Sequence, residues 1–468
     1  MTSYSSAHFE IMITEIKNKI IEEPNEHGIY SIQTAVHIKT RYDFKNCKIA
    51  LVDADLLDGG TRHPNLCIMK LSGYFKKHGC QVRLIEDYSE LYKKVGELDD
   101  LNTYDGVQNY DAIYICKVFD FTKIDRRLLN FENVYFGGTG FYFDHAPKLP
   151  EEIEHHMPDY HVYDHFIEQD TRYKNKYKWY KDYLYFSIGF VTRGCFRHCD
   201  FCVNHDCKQV KFHSHIEEWY DPSRKYIYCW DDNFFGYPKW KEALSELIAT
   251  GKPFQFKQGL DMRLMTPEKA KLLNQAKYFG DYIFAFDHIE DAAWMEKKLQ
   301  MWREYCDKPT KLYVLSGFDG QDEHEIESVF ERIRILIKYD CLPYIMRHEK
   351  YLQSPYKSLF IQIARWCNQP QFIKKLSFRQ YCTRCQYHVK TDNICTAYRA
   401  MLEFEEKFPN IAAKYYDMEY LKQPYVIKIK EQKAAAAQKR KEEAQKRKEE
   451  VQKKKEEAQR KRKEINKI

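Results

Sequence analysis

No stretch of this chain offers about 18 consecutive uncharged apolar residues, so no membrane-spanning helix is expected. Its first residues, MTSYSSAHFEIMITEIKNKI, lack a basic segment followed by a continuous apolar run, so no secretory leader is expected either. The two absences predict a soluble, cytoplasmic protein with no membrane partner. A surplus of charge is also missing from most of the chain. The formal net charge is +6, yet residues 431–468 hold fifteen Lys or Arg against eight Glu. Taking that +7 from +6 leaves −1 for everything before residue 431. Attraction to nucleic acid is therefore expected only through the tail.

What is present argues for a large folded body. Apolar residues make up 44% of the 468 and aromatic residues 16%, which excludes disorder over most of the length. A chain this long predicts two domains with appendages rather than one core. The fifteen cysteines are not expected to form a disulfide framework in a reducing compartment; clustered ones point to metal or redox work.

Residues 1–46 read as a short helical lead-in. Over 47–150, the runs CKIALVDADLL, CQVRLIE, AIYICKVF and NVYFGGTG alternate with the amphipathic segment NLCIMKLSGYFKKHG, a pattern of buried strands and crossovers that predicts a doubly wound parallel sheet. Gly137, Gly138 and Gly140 would shape a loop at its carboxyl edge. Residues 151–184 are polar, aromatic and aperiodic, as a linker would be. From 185 to 350, strand candidates YFSIGFV, YIYCWDD, FQFKQGLD, DYIFAFD, KLYVLSGF and LPYIMRH alternate with helical patterns. In one helix Ile326, Val329, Phe330, Ile333 and Ile337 recur at helical spacing. Six such units predict a partial (β/α)6 barrel with its active face at the strand ends. Residues 351–430 read as helical. At 431–468 the near-repeat AQKRKEE has one apolar position in seven, too few for a coiled coil, and predicts a solitary charged helix. The fold class expected is α/β.

Cys195, Cys199 and Cys202 are spaced x3 then x2 directly after the first strand of the second series. Three thiolates on a cubane of four irons leave one iron open to a ligand. The same cysteines closed by Cys207 or His205 would instead make a tetrahedral zinc site. That alternative gives a zinc-stabilised protein whose basic tail contacts nucleic acid. Six strand-helix units following the motif favour the cluster and leave Cys207 and His205 as bystanders.

The spacing Cys-x3-Cys-x2-Cys, with the aromatic Phe201 just before the last cysteine, resembles the signature of radical S-adenosylmethionine (SAM) enzymes. The resemblance extends through WDDNFFG, QGLDMRL, FAFD, VLSGFD and PYIM, over about residues 185–350. It implies a 4Fe-4S cluster on Cys195, Cys199 and Cys202, SAM chelating the fourth iron, and Phe201 near the adenine. It also implies reductive cleavage of SAM and abstraction of a hydrogen atom from a substrate, with flavodoxin or ferredoxin as the reducing partner. The family's second strand usually ends in Gly-Gly-Glu, which contacts the SAM amino group; here Asp231, Asp232 and Asn233 stand in that place. By position, Arg263 would pair with the SAM carboxylate and Asp287 would reach the ribose hydroxyls.

The N-terminal sheet resembles, more loosely, the cobalamin-binding-like module that precedes the barrel in many members. The Asp-x-His-x-x-Gly signature that gives cobalt a histidine is missing from DADLLDGGTRHPN, so cobalamin is not expected. Beyond the barrel, Cys382, Cys385 and Cys395, with Cys367 as a fourth, would suit a second Fe-S cluster or a zinc ion. The bland reading makes Cys367 core and the other three free thiols.

Overall fold

The computed structural model describes residues 12–20, 32–40, 45–94, 102–142, 146–387 and 393–465. Its first elements are strands β1 (Met12–Ile20) and β2 (Ile32–Thr40), paired antiparallel with Met12 opposite Thr40 and Ile20 opposite Ile32. The expected helical lead-in is thus a strand pair. Ile13, Ile16 and Ile20 do recur at helical spacing, but both segments are rich in Ile, Thr and Val, whose branched side chains favour extended backbone.

Strands β3 (Lys48–Asp53), β4 (Gln81–Leu84), β5 (Ala112–Cys116) and β6 (Val134–Gly137) form a parallel sheet in the order β4-β3-β5-β6. Ile49 and Leu51 belong to a core with Ile68, Met69 and Phe75 of helix Leu66–Lys77. Ala50 and Val52 belong to a second core with Leu91, Val107, Leu128 and Phe141. Alternate side chains of one strand enter two cores, as a doubly wound sheet requires. The strand stops at Asp53, short of the predicted Leu57, because the Asp53 carboxylate accepts from Leu56 N at 3.2 Å and caps helix Ala54–Asp58. In the same way β5 ends before Val118 and Phe119, whose N–H groups donate to Asp55 at 2.7 and 3.3 Å.

Residues 151–184 are not a loose linker. Tyr160, Tyr163, Phe166, Ile167, Tyr180 and Tyr183 are buried in the core that holds Ile49 and Leu51, and the Tyr163 hydroxyl donates to Asp53 Oδ2 at 2.7 Å. Large rings supply enough buried area to pack a segment that has no periodicity.

β7 (Phe186–Gly189), β8 (Thr192–Arg193), β9 (Lys211–Phe212), β10 (Tyr226–Cys229) and β11 (Phe254–Phe256) follow. β10 pairs parallel with both β7 and β11, and Phe186 stacks on Tyr228 at 3.8 Å. At the end of β7, Gly189 lies against the Trp219 indole: a Cβ there would stand 2.2 Å from Trp219 Cδ2. A third parallel sheet has β13 (Thr310–Ser316) between β12 (Tyr282–Ala285) and β14 (Cys341–Arg347). Ile326, Val329, Phe330, Ile333 and Ile337 of helix Glu323–Lys338 are all buried, as their spacing predicts.

The six strands therefore appear as two three-stranded ladders rather than one six-stranded one, and no ladder joins β11 to β12 among the described residues. The edge of β11 is engaged by residues 277–279, where Phe254 N donates to Lys277 O at 3.0 Å and Phe279 N to Phe254 O at 2.8 Å. Two compact units divide the chain: Met1–Gln258 with Ala276–Phe279, and Gly259–Gln275 with Gly280–Ile468. The second unit ends in helices, including Lys357–Cys367, Phe378–Thr383 and Thr396–Lys407, and in the long helix Pro424–Ile465. From Lys430 to Glu450 the described side chains of that last helix are exposed. The mixed α/β class with parallel sheets and a helical C-terminal region is present. Among the described residues no helix is long and apolar enough to cross a membrane.

Candidate metal centre

Cys195, Cys199 and Cys202 lie in the loop that leaves β7. Its neck is the antiparallel ladder of β8 on β9, with Thr192 opposite Phe212 and Arg193 opposite Lys211, so residues 194–210 form a closed excursion. Gly194 opens it at φ +94°, a left-handed backbone that a side chain would strain, and a Cβ there would stand 2.5 Å from Gln209 O. Within the loop Cys202 N donates to Cys199 O at 2.9 Å and His205 N to Cys202 O at 3.1 Å. All three thiols are half-buried. Burial pushes the Cys202 thiol up, so a cation is what would hold it as a thiolate.

The end of β10 ties the neck. Asp231 Oδ1 accepts from Thr192 N and from Thr192 Oγ1, each at 2.6 Å, and Oδ2 accepts from Val191 N at 3.3 Å. Burial raises the Asp231 carboxyl to about 6 against the pull of these three donors. Asp232 accepts from Gly194 N at 2.7 Å and from Asn204 Nδ2 at 2.9 Å, and the Arg193 Nε stands 3.8 Å away. Asn233 Nδ2 donates to Cys195 Sγ at 3.4 Å, while its Oδ1 is buried without a hydrogen-bond partner. Of the three residues expected to meet an amino group, Asp231 and Asp232 are thus committed to the loop backbone and Asn233 alone keeps a disengaged acceptor.

The donor set fits an iron-sulfur cubane. Three thiols of one loop supply three irons, and N–H groups already point at two sulfurs, since Asn204 N donates to Cys202 Sγ at 3.4 Å. A single zinc ion would need its ligands gathered about 2.3 Å from one point. Among the described residues no three His, Cys, Asp or Glu side chains are already gathered about one point, which bears on a zinc ion and on a cluster alike. His205 is turned into the loop, Nδ1 at 3.0 Å from Cys202 O and Nε2 at 3.4 Å from Asp206, and Cys207 Sγ stands 3.9 Å from Asn204 Oδ1.

Phe201 is half-buried beside Cys202. Arg263 and Asp287 belong to the second unit. Arg263 Nε contacts Asp261 Oδ1 at 2.9 Å. Asp287, at the end of β12, accepts from Leu315 N at 3.3 Å, and burial pushes its carboxyl up. Sequence reasoning missed the group that fixes this edge: Arg332 is fully buried, donates to the carbonyls of Asp287 and, at 2.7 Å, of Leu315, and pairs with Glu325 at 3.3 Å. It also missed Asn204, which carries no signal beyond following Cys202 by two.

The second cysteine group divides. Cys367 and Cys382 are buried on helices Lys357–Cys367 and Phe378–Thr383, and burial raises both thiols, Cys382 to about 12. Cys385 is exposed, Cys395 is buried, and their sulfurs stand 2.8 Å apart. The structure therefore brings together two of the four expected ligands, and among the described residues no third ligand joins them.

Among solved structures, the chain is similar to the radical S-adenosylmethionine methyltransferase TsrM from Kitasatospora setae with cobalamin and 4Fe-4S cluster bound. That likeness covers 64% of this chain and 72% of that one, at 11% identity and a TM-score of 0.42. No family model and no curated protein matches the chain.

Proposed function

We propose that the chain is a radical SAM enzyme in which Cys195, Cys199 and Cys202 hold a 4Fe-4S cluster. The observation that carries this reading is the closed loop after β7, which presents three half-buried thiols next to a buried, disengaged amide oxygen. When bound, the cluster supplies the electron that cleaves SAM to a carbon radical able to take a hydrogen atom from substrate. The chain's own residues position and shield. Asp231 and Asp232 fix the backbone at Val191, Thr192 and Gly194, so the first cysteine starts from a set place. Asn233 Nδ2 donates to Cys195 Sγ and orients that side chain, and Asn233 Oδ1, an acceptor only, suits the ammonium of SAM. Phe201 offers an aromatic face to adenine. A flavodoxin or ferredoxin would supply the electron, and the basic tail would meet an acidic partner such as nucleic acid.

The test is anaerobic reconstitution with iron and sulfide, followed by SAM and dithionite. The wild type should hold about four irons from this loop and release 5′-deoxyadenosine, and Ala at Cys195, Cys199 or Cys202 should abolish release. A colourless zinc protein that makes no 5′-deoxyadenosine rejects the reading.

A further inference from the structure

Ten positions separate Cys385 from Cys395, yet their sulfurs stand 2.8 Å apart. Non-bonded carbon atoms rest about 3.5–4 Å apart, and sulfur is larger, so this is closer than packing alone accounts for. The backbone imposes the approach. Cys395 N donates to Gln386 O at 2.8 Å, and Tyr387 bridges Ile394 in antiparallel fashion. Cys385 follows helix Phe378–Thr383 by two residues, and Cys395 is the N-cap of helix Thr396–Lys407. A bond between the sulfurs would join the end of one helix to the start of the next. The two thiols also differ in access, Cys385 being exposed and Cys395 buried.

We infer that Cys385 and Cys395 are a reversible dithiol–disulfide pair that staples these two helices when the surrounding thiol pool is oxidised. The exposed Cys385 thiolate attacks one sulfur of a small disulfide such as glutathione disulfide. A mixed disulfide forms, and the released thiolate takes up the proton that Cys385 gave. Cys395 then attacks the Cys385 sulfur, gives its proton to the departing thiolate and expels the second small thiol. Two protein thiols and one small disulfide become one protein disulfide and two small thiols; the protein sulfurs lose the two electrons that the small disulfide gains. The order follows from the surroundings. The exposed Cys385 is open to the small disulfide, and the buried Cys395 reaches only the sulfur of Cys385, so Cys395 resolves rather than attacks. Cys382, 1% exposed on its helix, is closed to the first step.

The full chain is equilibrated anaerobically in glutathione buffers of rising disulfide fraction, quenched in acid, alkylated and digested with trypsin. Cleavage after Arg379, Arg384, Lys390 and Arg399 puts Cys382, Cys385 and Cys395 in separate peptides, 380–384, 385–390 and 391–399. The expected result is a cross-linked species of 385–390 with 391–399 that becomes the major form at the oxidising end and disappears with dithiothreitol. In Cys385→Ser, peptide 391–399 should be alkylated at every ratio. A cross-link to 380–384 overturns the inference, as do a stable glutathione adduct on Cys385, full alkylation of both cysteines throughout, or bound zinc or iron that shields both at every ratio.

Discussion

Cys195, Cys199 and Cys202 stand half-buried in a loop whose backbone is gripped by two carboxylates, whereas Cys367 and Cys382 are sunk in helices and Cys385 meets Cys395 beside the bridge of Tyr387 with Ile394. Both groups contain a Cys-x2-Cys step, so spacing alone does not separate them. The difference lies in what holds the backbone between the thiols. A loop leaves side chains free to converge on a ligand placed outside it, and a helix points them into the core. Three thiols in a loop make a cradle; the same residue on a packed helix makes hydrophobic filling.

Paired variants test that contrast most severely. Cys195→Ala should lose nearly all cluster iron and all 5′-deoxyadenosine formation, while Cys385→Ala retains both; metal analysis and product assay on the two side by side decide it. Equal losses would erase the distinction.

The grip on the loop comes next in size. Asp231→Ala strands the N–H groups of Val191 and Thr192 and the Thr192 hydroxyl, which should loosen the loop neck and lower iron occupancy, read by metal analysis after reconstitution. The same carboxylate carries a pH signature. Its folded value, about 6, lies above its ordinary value of 3.8, so the folded state holds the proton more tightly and stability falls as pH rises from about 4 to about 6. The full penalty at neutral pH is on the order of 3 kcal/mol. Asp231→Asn should flatten that part of the stability profile.

A smaller effect is expected at the disengaged amide. Asn233→Ala should weaken SAM binding to the reconstituted protein roughly tenfold, the worth of one hydrogen bond to a charged group, with iron content kept. Equilibrium binding checks it.

For the second group, Cys367→Ala should destabilise by about 1 kcal/mol through the cavity it leaves, and Cys385→Ser by less than about 0.5 kcal/mol. Deleting residues 431–468 should change neither iron content nor SAM cleavage, because the described part of that helix is exposed.

Much of this was legible in the sequence where the signal is periodic or local. The apolar stripe of helix Glu323–Lys338, the alternation of β3 into two cores and the position of the cysteine loop after a strand all follow from spacing. What was not legible depends on partners far along the chain. Asp231 is an acceptor in any sequence reading; that its acceptors are filled by Val191 and Thr192, leaving Asn233 as the disengaged one, is decided by the meeting of β10 with the β8 neck. The strand pair Met12–Ile20 with Ile32–Thr40 and the packed wrap at 151–184 differ from their sequence reading for a related reason. Branched residues at helical spacing and aperiodic aromatics each obey a local pattern that ladder pairing or core packing overrides.

The contact between Gly189 and Trp219 binds two distant positions into one choice. With the indole in place, any Cβ at 189 arrives 2.2 Å from a ring carbon, and the Trp219 carbonyl is itself held by Tyr160 at 2.6 Å, so the ring's backbone cannot easily give way. A change at 189 becomes tolerable only after the ring is lost, and loss of the ring alone leaves a void beside β7. Each single step is harmful while the double change is less so, which is sign epistasis. An evolving lineage would find that route closed in both directions, and the strand that delivers the cysteine loop would keep its glycine for a reason that has nothing to do with catalysis.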